Sequence, residues 1–421
     1  MTVSRQQGAV IFAAFAFAYF FSALLRAVTA TLAPVFSSDL GLQAADLGLL
    51  AGAYFFGFAA LQLPLGRALD RYGPRRTLLV LLAVAALGCM AFALADRLPW
   101  LIAARVTIGA GVAACLMAPL TCYRRLYSPA AQLRANSWML MTGSLGMLAS
   151  TMPVQWLLPT LGWRGLFWAV AAMLALSMVV IAWLVPTDPR PPAVDAPAPA
   201  GDRRPAVASP PAEQRGYRSI VRHPLFVRVA PLGFFVYGGL IAVQSLWAGP
   251  WLTRVGGWSA EQAAQGLFVV NLSMLVTFGA WGAVMPRLVH LGVGALQLMT
   301  WGLPLALLLL FVNVALGADA GALHWALWCV ACTFASVSQP AVGAAFPAAL
   351  AGRALSAYNL VIFAGVFCLQ WGIGLLIDAL RGWGVQEAEA FRLAFSAFGL
   401  CCVASYAWFL LCGRAGADNR R

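Results

Sequence analysis

The chain has 421 residues, 62% of them hydrophobic and only 10% charged, and its formal net charge is +13. A water-soluble fold of this composition would have to hide more apolar surface than its volume allows, so the sequence describes a polytopic membrane protein. Every one of the 27 basic residues is arginine, and their placement, given below, accounts for the charge without a nucleic-acid partner.

The chain opens on MTVSRQQGAVIFAAFAFAYFFSALLRAV. Its apolar part is too long for a cleavable signal and lacks a small-residue cleavage site, so it is expected to remain as a first span. Runs of the roughly 20 residues needed to cross a bilayer then recur near 9–35, 46–66, 77–95, 100–122, 136–158, 166–186, 226–248, 262–285, 294–316, 323–346, 355–380 and 391–412. These twelve spans predict an all-α membrane protein with both termini on one side. With that side cytoplasmic, Arg97, Arg164, Arg254, Arg381 and Arg392 fall outside, Arg26 and Arg105 lie within spans, and the other twenty arginines gather on the cytoplasmic side. Such a bias reports topology.

Between the first and second six spans, Pro186 to Gly216 is rich in Pro, Ala, Asp and Arg and has no apolar periodicity, as a linker would. The expected organisation is a six-helix bundle over 1–186, a cytoplasmic linker over 187–225 that ends in a short interfacial helix (YRSIVRHPLF), and a second bundle with a short tail over 226–421. The halves repeat. Pro34 and Pro250, Gly41 and Gly257, Gly66 and Gly282, and Arg71 and Arg287 share one register, 216 residues apart. Arg134, Ala135, Ser137 and Gly146 repeat as Arg353, Ala354, Ser356 and Gly365 at 219.

The turn after the second span, LPLGRALDRYGPRRT, crowds Arg67, Asp70, Arg71, Arg75 and Arg76 around Gly66, Gly73 and Pro74. It resembles the loop between the second and third helices of the major facilitator superfamily, with Gly66, Asp70, Arg71, Gly73, Arg75 and Arg76 on the pattern. In the fourth span, Arg105 with Gly109 and Gly111 resembles a second motif of that superfamily, and LGWRGLFW (161–168) an element before the sixth helix, where Arg164 and Trp168 would anchor at the outer interface. The resemblance covers roughly 9–412. It implies two pseudo-symmetric six-helix bundles, a binding site between them, and alternating access. Gly66, Asp70, Arg71, Gly73, Arg75, Arg76, Arg105, Gly109 and Gly111 would then serve gating or conformational change. The second copy of the turn is degenerate, with Pro286 and Val289 where Asp70 and Gly73 stand in the first. The fifth span lacks the G-P-x-x-G-G run associated with drug/proton antiporters.

Arg26 is the residue on which a function is hung. It lies in the middle of the first span with no carboxylate in that helix, and an arginine near the bilayer centre costs about 2.5–3.5 kcal/mol on insertion scales, so it must face a hydrated cavity or a partner. Helical spacing sets Tyr19, Ser22, Arg26 and Thr29 on one stripe. The second half offers Tyr237, Gln244, Trp247, Asn271, Gln339, Asn359, Phe363 and Gln370. One arginine with amides and aromatic walls suits a small organic anion such as a carboxylate; the same amides also suit ties between helices, and Arg26 a bond to a neighbouring helix. Apart from Asp378, at the outer end of the eleventh span, every acid falls in a loop or tail, and His290 and His324 read as solvated. No buried carboxylate is therefore offered as proton carrier, and a co-transported proton or counter-ion would accompany the cargo.

The nine cysteines form no disulfide framework, and Cys329 and Cys332 read as packing. No phosphate-binding loop, acidic pair or activated nucleophile is present, so neither an enzyme nor a cofactor is expected. The expected protein is a monomeric secondary transporter of a bacterial inner membrane, its partners the bilayer and a small-molecule substrate. Two other readings stand beside it: an exporter of hydrophobic or siderophore-like compounds, and a non-transporting receptor or assembly factor on the same fold.

Overall fold

The computed structural model describes residues 4–186 and 217–418; the expected linker over 187–216 lies outside them. Helix α1 (Arg5–Leu40) runs to Gly41, where φ +64° turns the chain into α2 (Ala44–Ala60). A 51° bend separates α2 from α3 (Gln62–Tyr72). Gly73, at φ +80°, carries the arginine-rich turn into α4 (Pro74–Leu94), whose proline occupies a first-turn position that needs no amide hydrogen. The first half continues through α5 (Leu98–Val112), α6 (Ala114–Leu126), α7 (Pro129–Ala149) and α8 (Met152–Leu184), the last broken at Gly162.

In the second half α9 (Tyr217–Val221) is a five-residue helix seated by fully buried Ile220, shorter than the interfacial helix expected, because Pro224 starts the next element. Three short α-helices, α10 (Pro224–Leu232), α11 (Gly238–Ala242) and α12 (Ala248–Pro250), alternate with π-helical turns at Gly233–Tyr237, Val243–Trp247 and Trp251–Val255 to make one span. Then follow α13 (Ala260–His290), α14 (Ala295–Leu316), α15 (Ala322–Cys332), α16 (Ser338–Ala344), α17 (Ala348–Gly382) and α18 (Glu387–Asp418). Among the described residues ten helices are long and apolar enough to cross a membrane, and the bent pair α2 and α3 makes an eleventh. With α8 divided at Gly162 and its first part continuing α7, the arrangement is consistent with twelve passes.

The internal repeat has a physical counterpart. Gly146 on α7 sits against the Phe20 carbonyl of α1, and Gly365 on α17 sits against the Phe234 carbonyl; a Cβ at either would lie 2.2 Å from that oxygen. Gly41 and Gly257 take matching left-handed angles, φ +64° and +68°. Each half therefore packs its fifth span onto its first through a glycine that lets the backbones touch.

The halves meet unevenly. Toward the face that carries Gly41, α2 and α17 are in backbone contact: a Cβ at Gly48 would lie 2.2 Å from the Gln370 carbonyl, and one at Gly374 2.4 Å from that of Ala44. Toward the arginine-rich face, Gly66, Gly282 and Gly352 look onto open space, and a Cβ at any of them would meet nothing within 4 Å. The two halves are thus in backbone contact through α2 and α17 toward the Gly41 face, a contact that Gly66, Gly282 and Gly352 do not make at the arginine-rich face.

Candidate functional site at the seam of the two halves

Two arginines lie inside spans, and their surroundings differ. Arg105, 1% exposed, donates to the carbonyls of Leu25 (3.2 Å) and Leu50 (3.4 Å) and to Thr29 Oγ1, and lies over the rings of Tyr54 (5.4 Å) and Phe92 (5.9 Å). It ties α5 to α1 and α2. Gly109 and Gly111 make room for this: a Cβ at Gly109 would fall 1.9 Å from the Tyr54 carbonyl, and one at Gly111 2.3 Å from the Ala85 amide. Thr29, placed by spacing on the same stripe as Arg26, is spent on Arg105.

Arg26 is held differently, by side-chain hydrogen bonds with the hydroxyls of Tyr19 and Tyr54 rather than by carbonyls. Its guanidinium stands among the hydroxyls of Tyr19, Tyr54 and Tyr237 and 5.8 Å from the centre of the Phe58 ring. Its Nε is buried without a hydrogen-bond partner, while the residue as a whole keeps part of its surface open. No carboxylate pairs with it among the described residues. The neighbours come from both halves, since Phe363 of α17 packs on Phe58 (4.8 Å) and Phe55 (6.1 Å) of α2, and Tyr237 reaches the group from the π-helical turn after α10. A cation with hydroxyls that donate or accept beside it can, chemically, hold an anionic group.

Of the residues expected from spacing, the structure brings Tyr19 and Tyr237 to Arg26, and Phe363 to the Phe58 ring that lies beside it. The amides answer one another. Gln244 donates to Asn271 (3.0 Å), which donates to the Leu267 carbonyl (2.9 Å); Gln370 donates to Ser245 (3.0 Å); Gln339 donates to Asn359 (2.5 Å). Gln244, Asn271 and Gln370 are buried, and Trp247 is fully buried against Phe391 of α18 (6.0 Å). Only Gln339 and Asn359 keep part of their surface open. Asn359, Phe363 and Gln370, at spacings of four and seven along α17, point to different neighbours: Gln370 to Ser245, Asn359 to Gln339, and Phe363 to α2.

Tyr54, Phe58 and Cys115 are not singled out by spacing. Cys115 adjoins Ser22 and Arg26. Tyr54 is the only polar side chain between Leu47 and Leu61, and that isolation is a usable signal. Its hydroxyl donates to the Ser22 carbonyl (3.2 Å) and its ring lies under Arg105.

At the arginine-rich turn, Thr77 Oγ1 bonds the Ala68 carbonyl (3.1 Å), and Arg75 donates to the Ala182 carbonyl at the end of α8. Asp70, Arg71 and Arg76 are exposed, with Arg71 over the Tyr72 ring (5.3 Å). Arg164 pairs with Asp96 (2.9 Å) and stacks on Trp163 (4.1 Å). His290 is exposed at the last residue of α13, inside the helix that is expected from hydropathy to end before it. His324 departs from the solvated reading: it is half-buried in the first turn of α15, and its Nδ1 is buried without a partner.

The family model of the Major Facilitator Superfamily matches residues 15–370. The chain belongs to that superfamily. A relative, the uncharacterized MFS-type transporter Rv1250 of Mycobacterium tuberculosis, is 27% identical over 179 residues, which are 41% of this chain and 30% of that relative's length. Among solved structures, a bacterial homolog of the human lysosomal transporter Spinster, inward-facing and unoccupied, superposes with a TM-score of 0.74 at 19% identity over 98% of both chains. The POT family transporter PepTSo gives 0.76 at 15% over 98% of both, and a D-xylose–proton symporter 0.72 at 18% over 96% of both. At these identities the likeness is one of fold.

Proposed function

We propose that this protein is a secondary transporter that moves a small organic anion, such as a carboxylate, by alternating access between its two halves. The carrying observation is the contrast between the two in-span arginines. Arg105 is saturated by acceptors of its own chain, whereas Arg26 stands partly open at the seam, among hydroxyls and without a counter-ion. Leaving a cation there is costly unless a mobile anion or water answers it. Tyr19, Tyr237 and Phe363 would wall the cargo, and Gln339 and Asn359 would reach it by exchanging their mutual bond for one to the cargo. Gln244, Trp247, Asn271, Gln370 and Thr29 act as ties behind that wall.

The arginine-rich face is the cytoplasmic one, both termini lie there, and the membrane is a bacterial inner membrane; the charge bias supports this. The state is inward-open, and Gly66, Asp70, Arg71, Gly73, Arg75 and Arg76 close on the second half when it changes; the open space at Gly66, Gly282 and Gly352 supports this. The protein works as a monomer, and any coupled proton or counter-ion travels with the cargo.

The test is a thermal-shift screen of the purified protein and its Arg26→Gln variant against organic acids, amino acids and hydrophobic drugs, since a ligand stabilises in proportion to its affinity. An acid that stabilises the parent and not the variant supports the reading. Stabilisation of both to the same extent removes Arg26 from the site. A second reading, export of hydrophobic compounds, is favoured by an apolar cleft of about 330 Å³ between α1, α7 and α8, lined by Phe20, Leu24, Leu25, Val154, Phe167 and others. Stabilisation by apolar drugs alone would favour it.

A further inference from the structure

The start of α2 is capped from the other half of the molecule. Asp378, near the end of α17, accepts the backbone amide hydrogens of Ala45 (2.7 Å) and Ala44 (3.3 Å) through its two carboxylate oxygens. One turn on, Arg381 donates to the Gln43 side chain (3.3 Å). The first amides of a helix have no partner within it, and a carboxylate placed on them adds both hydrogen bonds and a favourable meeting with the helix dipole. Here that partner is borrowed across the seam.

The repeat makes the borrowing plain. At the equivalent helix start, 216 residues on, Ser259 Oγ accepts the Gln262 amide (3.2 Å), and the Gln262 side chain accepts the Ser259 amide (2.9 Å). That helix, α13, caps itself. In α2 the Ser259 position is Gln43; Asp46 accepts the Gln43 amide (3.0 Å), and the next two amides go to Asp378. Among the described residues the acid ion pairs join residues of the same half: Asp96 with Arg164, Glu387 with Arg254, Glu389 with Arg392. Asp378 is thus the one carboxylate that bonds across the seam among the described residues.

Asp378 sits where the seam is shut. Gly374, one turn before it, has its backbone against Ala44, and a cavity of about 190 Å³ opens beside the contact, lined from both halves by Ala33, Leu42, Gln43, Arg254 and Arg381 among others. When the halves part here, the Ala44 and Ala45 amides and the carboxylate must separate together.

We propose that Asp378 is the lock of this face: its carboxylate caps α2 only while the face is closed, and its loss shifts the molecule toward the state open on that side. The proposal rests on alternation between two states but on no assumption about the cargo. Asp378→Asn keeps the size of the side chain, removes its charge and leaves one acceptor oxygen for two amides. A charge-assisted pair of bonds becomes at most one neutral bond.

The experiment uses the full chain in membrane vesicles of both orientations and a membrane-impermeant maleimide. One reporter is Ala33→Cys, 2% exposed beside the closed contact; the other is Gly66→Cys, at the arginine-rich face, where a Cβ meets nothing within 4 Å. Labelling of the chain without a reporter is subtracted, since Cys368 and Cys401 are exposed. Asp378→Asn is expected to speed labelling at residue 33 roughly tenfold, equivalent to about 1.4 kcal/mol, and to slow it at residue 66. Opposite signs at the two faces separate a shifted equilibrium from a loosened fold, which would raise both rates. Asp378→Glu, which retains the charge, is expected to fall between parent and Asn. Equal rates at both reporters in parent and Asp378→Asn, or a rise at both, overturn the lock alone. No labelling at residue 33 in any variant overturns the lock together with the alternation.

Discussion

Arg26 and Arg105 carry the same charge at similar depth, and their substitution should have opposite consequences. Arg105→Gln withdraws donors from Leu25, Leu50 and Thr29 inside a site that is 1% exposed. Buried acceptors left without partners cost about 1–3 kcal/mol each, so the variant should lose about 3 kcal/mol and melt several degrees lower in detergent. Arg26→Gln removes a cation whose Nε has no partner, and its melting temperature should match or exceed the parent's while transport of the anion in proteoliposomes falls to background. An Arg26→Gln protein that transports at the parent rate, or that melts as low as Arg105→Gln, would mean that Arg26 is a structural tie. The sequence placed both arginines within spans and set Tyr19 beside Arg26. It could not say that Thr29, three residues on, belongs to Arg105, because that choice is made by α5 arriving from the far end of the half.

At the scale of helices, glycines decide which backbones touch. Gly109 is filled to 1.9 Å by the Tyr54 carbonyl, whereas Gly66 faces open space. Gly109→Ala must push α5 off α2 and is expected to cost about 1–3 kcal/mol, as overpacking of a close interior contact does. Gly66→Ala should leave the melting temperature unchanged, and could slow only the swing to the other state. Comparable melting of the two variants would contradict the difference in packing between these two glycines. The glycine motif was readable in sequence, since small residues mark close approach. Which glycines are engaged depends on conformation, and a sequence that serves two conformations cannot announce which one is adopted. The span from α10 to the end of its third π-helical turn shows the same limit. Its hydropathy marks a crossing, but nothing in the pattern told that Tyr237 and Gln244 sit on π-helical turns, which rotate them relative to a regular helix.

For the molecule as a whole, a cargo held by Arg26 from one half and by Tyr237 or Phe363 from the other would draw the two bundles together. The acid found by thermal shift should therefore slow maleimide labelling of Gly66→Cys from the arginine-rich face, several-fold at saturation. A ligand that stabilises the fold yet leaves labelling at that position unchanged would be bound by one half only. Such a shift requires different affinities for the two states, and the seam location supplies them.

The sequence by itself determined the membrane class, the order of the apolar helices, the duplication and the arginine-rich turn. These depend on composition and local spacing, and the bilayer imposes them on any chain with this pattern. The tertiary structure decided which polar groups are spent on one another and which are left over. Gln244, Asn271, Gln339, Asn359 and Gln370 look alike along their helices, and only the approach of a second helix shows them to be paired. Asp378 reads as a lone acid at a span end; its partners are amides more than 330 residues away. Pairing of this kind is set by the rotation and separation of packed helices, which no local pattern encodes.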